Sequence, residues 1–200
     1  MKNEMYKNIS IVIIFISFFL FLYASYKALI VVNETQIRTP NGIYSSYISR
    51  SEEIQQKARA LTKNCSNTLC SVEAVLDFVT AIPYVTNTFQ KCTPKKTIEQ
   101  KFGDCDDKSN LLISLLHVLN IEAYFVLVPK HIFVIVRLSD TRLSGKKGLW
   151  VNQKKYYILE STVKNSKVGF PFQYKLEEIN AIIDPFKNEK KSLNQLEYKL

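Results

Sequence analysis

Residues 9–26, ISIVIIFISFFLFLYASY, form an eighteen-residue run with no charged side chain. At about 1.5 Å per helical residue such a run crosses most of the hydrocarbon of a bilayer, and it offers no polar face to water. It divides the chain into a tail (residues 1–8), an anchor (residues 9–32) and the remainder. Lys27 interrupts the apolar stretch but can snorkel to the interface, and ALIVV continues the run beyond it. A cleaved signal peptide is the competing reading. The run exceeds the usual signal core of about 7–15 residues and no small-x-small site follows it, which favours an uncleaved anchor. Lys2 and Lys7 precede the span while Lys27, Arg38 and Arg50 follow it. That balance puts the N-terminus inside by a narrow margin and makes the chain a single-pass membrane protein with its soluble part outside the cytoplasm.

The remainder has room for one domain. An apolar fraction of 46% and a charged fraction of 22% are those of a folded chain. A polar linker with a Pro40-Asn41-Gly42 turn occupies residues 33–48, the domain residues 49–186, and a basic tail residues 187–200. The net charge of +9 comes from scattered lysines. No Lys/Arg run interleaves with aromatic residues, so a solvated surface is favoured over a nucleic-acid partner. The cluster from Lys187 to Lys191 could touch anionic lipid.

Ser49 with Glu52 suggests a capping box for a helix reaching Lys63, Ser71 can open a second helix ended by Pro83, and Thr97 with Gln100 a short turn closed by Gly103. The clearest helix runs from Cys105 to Leu119. Leu111, Leu112, Leu115, Leu116 and Leu119 fall on one face, and Asn120 is its stop. IEAYFVLV, IFVIVRL and KYYIL then read as three strands, with GLWV between the last two as a loop or a further strand. The expected class is α+β, helices packed on an antiparallel sheet.

Treated as rods, these elements bring three polar residues to one level. The helix travels about 21 Å at 1.5 Å per residue. A strand from Ile121 to Pro129 returns about 26 Å at 3.3 Å per residue, so His131 arrives near Cys105. KYYILE comes back antiparallel and delivers Glu160 to the same end. A thiol at a helix start, an imidazole and a carboxylate are the set that thiol-based acyl transfer uses. His117 is the control, since it lies about 18 Å further along the helix and on another face.

Each residue also has a plainer reading. Asp106 and Asp107 suit the helix dipole and cap, and the aspartates beside Cys105 oppose thiolate formation. Glu160 could be a surface charge at a strand end. Cys65, Cys70, Cys92 and Cys105 lack the paired short spacings of structural zinc sites, and Cys65 and Cys70 either form a disulfide or stay reduced.

The segment GDCDDKSNLLISLLHVLNIEAYFVLVPKHIFVIV, Gly103 to Val136, resembles the core of the transglutaminase-like superfamily, which has the papain-like cysteine-protease fold. Its marks are a Gly-x-Cys-x-Asp helix start, a leucine-rich helix, and a histidine opening the next strand. YYILEST, Tyr156 to Thr162, resembles the segment that supplies an aspartate followed closely by threonine, with glutamate in the acidic place. VLDFVTAIPYV, Val75 to Val85, is similar to the family's helix and Ile-x-Tyr segment. The resemblance implies Cys105 as nucleophile, His131 as general base and acid, Glu160 as orienting acid, and Tyr84 either lining the site or packing. It implies a protein or peptide substrate, no metal and no organic cofactor; Asp-x-Asp-x-Asp-Gly calcium loops are absent. The family holds peptidases, transglutaminases, amidases and inactive members, so a peptidase and an inactive binding module at the membrane both remain open.

Overall fold

The structure, a computed structural model, describes residues 2–39, 42–86 and 92–200. It has two compact units, residues 1–36 and 37–200. The first is helix α1 (Lys2–Thr35). Within it Asn8–Leu29, of mean hydropathy 2.3, is long and apolar enough to cross a membrane.

The second unit starts earlier than residue 49. Strands β1 (Gln36–Thr39) and β2 (Gly42–Ser45) pair with each other inside the segment expected as linker. Pro40 and Asn41 of the expected turn lie outside the described residues. Tyr44 is buried with its ring 5.1 Å from that of Phe125, so this segment contributes to the core.

The helices are where the sequence places them, with different caps. Helix α2 (Glu52–Thr62) starts after Ser51, and no Ser49/Glu52 capping box forms. The Ser49 hydroxyl instead accepts the Ser51 N–H, outside the helix. Helix α3 (Thr68–Ala81) is capped by the Asn67 side chain, which accepts from the Cys70 N–H. Ser71 is already inside the helix, and its hydroxyl donates back to the Asn67 carbonyl. A Cys65–Cys70 disulfide closes the loop before it. Helix α4 (Pro94–Gln100) takes Thr93 as cap and Pro94 in its first turn. It ends at Lys101, whose φ of 59° is left-handed, two residues before the expected Gly103. Helix α5 (Cys105–Val118) ends ahead of Asn120, at φ 56°.

The sheet follows. Strands β3 (Ala123–Val128), β4 (His131–Val136), β5 (Gly148–Val151), β6 (Lys154–Leu159), β7 (Ala181–Asp184), β8 (Glu189–Lys190) and β9 (Leu196–Lys199) line up as β8-β7-β3-β4-β6-β5-β9. All neighbours are antiparallel. GLWV is thus a strand, outside β6. The stretch expected as a basic tail is built into the sheet, β8 on β7 and β9 on β5. Its segments are too short and too polar to show an alternating pattern by themselves; pairing with a neighbour makes them strands.

Helix α5 packs on one face of β3 and β4 and is flanked by α2, α3 and α4. Leu111, Leu112, Leu115 and Leu116 are fully buried there with Phe125, Ile132 and Val134. The alternate residues Val126, Phe133 and Ile135 form a second core on the other face, under Phe170, Phe172 and Tyr174.

Candidate active site

Cys105 is the first residue of α5, and its position is set by the turn before it. The Asp104 carboxylate accepts the Asp107 N–H at 3.1 Å, and the Asp107 carboxylate accepts the Asp104 N–H at 3.4 Å, a reciprocal capping box. Asp107 also accepts the Cys92 N–H at 2.8 Å, so this buried carboxylate ties two chain segments to the helix start. A Cβ at Gly103 would fall 2.9 Å from Asp107 Cβ and 3.2 Å from Thr97, which explains the glycine. Gly103 is clasped by Pro83–Val85: its N–H donates to Pro83 and its carbonyl accepts from Val85. Tyr84, between them, is half-exposed.

The Cys105 thiol is pushed up to about 12 by burial first, then by the charges of Asp106 and Asp104; the backbone N–H groups of Asp106 and Ile132 oppose this. Ile132 follows His131, so the contact ties the start of β4 to the start of α5. Asp106 Oδ1 lies 3.9 Å from Cys105 Sγ. Asp104 and Asp107 form the cap, and Asp106 sits beside the thiol.

His131 Nε2 lies 2.9 Å from Glu160 Oε2. The other carboxylate oxygen accepts two bonds from Thr162, from the hydroxyl at 2.6 Å and from the N–H at 2.9 Å. Glu160 is 6% exposed. Burial pushes its carboxyl up, but the hydrogen bond and charge of His131 and the bonds from Thr162 outweigh burial and hold it below the usual carboxylate range. The β4–β6 register pairs Val134 with Leu159. Continued by one step it sets Glu160 opposite Phe133, two residues from His131, a gap that glutamate's extra methylene helps to span.

Two further residues belong to this site that the sequence reading missed. The Tyr174 ring is stacked 6.2 Å from His131, and its hydroxyl is pushed up by burial and by the charges of Glu160 and Cys105. The alternation Phe170-x-Phe172-x-Tyr174 in GFPFQY was its available signal. Lys108 lies one turn along α5 and is 1% exposed, with Nζ 2.6 Å from the Ile82 carbonyl oxygen. Burial pulls its ammonium down to about 8, against the Glu160 charge.

His117 is at the far end of α5, stacked 3.4 Å from Phe186. Among the described residues no three His, Cys, Asp or Glu side chains converge to hold a metal ion.

The transglutaminase-like superfamily model matches residues 55–142. No curated protein matches the chain. One similar solved structure is a "Putative Cysteine Protease from Cytophaga hutchinsonii", at 20% identity over 58% of this chain and 39% of that one, with a TM-score of 0.44. Another is a "putative protease from Parabacteroides distasonis", at 11% identity over 72% of this chain and 28% of that one, with a TM-score of 0.47. The chain thus spans less than two fifths of either structure. The family match runs from α2 through β4, across the helix that begins at Cys105 and the strand that begins at His131, and over these residues the chain is similar to the transglutaminase-like superfamily.

Proposed function

We propose that this protein is a membrane-anchored cysteine hydrolase that cleaves amide bonds in a protein or peptide. The observation that carries the reading is the His131–Glu160 contact of 2.9 Å, with Thr162 on the second carboxylate oxygen, at the end of the sheet that meets a helix beginning with cysteine. With Nε2–H donated to Glu160, the other ring nitrogen is the acceptor. It takes the Cys105 proton as the sulfur attacks the carbonyl carbon. The oxyanion is met by N–H groups at the start of α5. His131 returns the proton to the leaving amine, leaving a thioester on Cys105. Water, deprotonated by His131, then releases the acid; an amine in its place would give transamidation. Hydrolysis is preferred because water is always present and nothing marks an amine site. Tyr84 lines the substrate side. Residues 9–32 anchor the chain, with the domain outside the cytoplasm.

Because burial and two aspartates hold the thiol protonated, proton transfer to His131 accompanies attack. The same fact favours the second reading, an inactive binding module. Iodoacetamide alkylation of Cys105 against pH, in the full chain in detergent with and without His131→Ala, separates them. A hydrolase shows a His131-dependent rate at neutral pH, lost by about tenfold or more in the variant. A Cys105 that is equally slow in both proteins is the binding module.

A further inference from the structure

The proposed chemistry leaves one buried cation unused. Lys108 is the sole buried lysine or arginine among the described residues. Burying an ammonium is costly unless it is paired, and an unbranched apolar side chain would fill the same space without that cost. The Lys108 ammonium spends its charge on a backbone carbonyl, that of Ile82, at 2.6 Å. Ile82 ends α3. The next three residues, Pro83, Tyr84 and Val85, are those that clasp Gly103. Gly103 leads through Asp104 to Cys105, and one turn of α5 leads back to Lys108. The contacts therefore form a closed ring around the thiol's own turn, and the Lys108 side chain is the link that joins the turn to Ile82.

We propose that Lys108 is a positioning residue that locks the Ile82–Val85 rim, with Tyr84 on it, onto the nucleophile's helix. Without this link α3 and α5 would still pack through their apolar faces, but holding the rim would be left to the two backbone hydrogen bonds at Gly103. For its consequence, although not for its contact, the assignment rests on the reading of Cys105 as nucleophile.

The test uses the full chain in detergent micelles, with Lys108→Met to remove the charge at similar volume and Lys108→Arg to keep a donor. Three quantities are measured: amide hydrogen exchange of peptides covering residues 82–85 and 103–105, thermal unfolding, and the His131-dependent rate of iodoacetamide alkylation at Cys105. In Lys108→Met we expect exchange at Val85 and Gly103 to rise about tenfold or more, with the unfolding temperature unchanged or higher. Cys105 alkylation falls by about tenfold, as for a displaced reacting group, and Lys108→Arg restores part of both. A merely structural lysine gives the opposite pattern: a lower unfolding temperature with exchange raised throughout the domain, or no cooperative unfolding. Either result overturns the proposal, as does unchanged exchange at the rim. If Cys105 is no nucleophile, its alkylation is indifferent to His131→Ala while rim protection still depends on Lys108. The two readings thus fail separately.

Discussion

Each end of α5 has a histidine beside it, and the two are treated differently. At the start, His131 faces the Glu160 carboxylate at 2.9 Å, and that carboxylate is fixed by Thr162. At the far end, His117 lies flat on Phe186, whose ring also carries the Arg50 guanidinium at 5.6 Å. Burial and the Arg50 charge pull His117 down, with Asp184 opposing. One imidazole has a carboxylate as its hydrogen-bond partner, and the other has an apolar face and a cation that disfavour its charged form. On the proposed reading, a histidine's neighbours, more than its closeness to the core helix, decide whether it can move a proton.

Exchanging the roles is the strongest way to break this comparison. His131→Ala should lower the proton-transfer-dependent reactivity of Cys105 by about 10² to 10⁴, the usual share of general acid–base catalysis, while His117→Ala should leave it within about twofold. Equal effects of the two variants would end the distinction. Next in size, Glu160→Gln keeps a hydrogen-bond partner but removes the anion that supports the imidazolium. We expect a loss of about 10² or more in the same assay, with Cys105 still present and folded.

Glu160 also sets a dependence on acid. Its folded carboxyl titrates below the unfolded value of about 4.3, so its contribution to stability is complete above that pH and is lost as pH falls through the lower folded value. Urea midpoints measured between about pH 5 and pH 3 should fall less steeply in Glu160→Gln than in the parent. Thr162→Val, which removes one of two bonds to Oε1, should cost about 1 kcal/mol of stability and a smaller loss of reactivity. The smallest effect belongs to His117. Its folded value is depressed, so the fold loses stability as pH drops below about 6.5, and His117→Gln should flatten that part of the urea series without changing Cys105.

How much of this the sequence displays depends on the length scale of the interaction. Leucines at helical spacing mark α5, and β-branched runs mark β3, β4 and β6, because periodic burial is written locally. Rod lengths alone then carry His131 and Glu160 to one end of the sheet, and the structure places them in contact. Lys108 could not be found that way. It reads as one lysine among many, and its burial depends on Ile82, distant in sequence, closing onto it. Tyr174 lies in an irregular segment whose alternating aromatics mark one apolar side but not the path that brings it to His131. The caps shifted for a similar reason: Ser49 and Ser51 are equally good cap residues by type, and local backbone geometry chooses between them.

The ring of Tyr174 over His131 has an experimental consequence. A proton held above an aromatic face is shielded by the ring current, so the imidazole resonances of His131 should appear upfield of those of a free histidine. Those of His117, only 3.4 Å from Phe186, should be displaced further. With two histidines in the whole chain, both signals can be assigned by single substitution. The protein therefore carries its own spectroscopic reporter for each end of the helix, and the protonation of the candidate site can be followed without a substrate or an added probe.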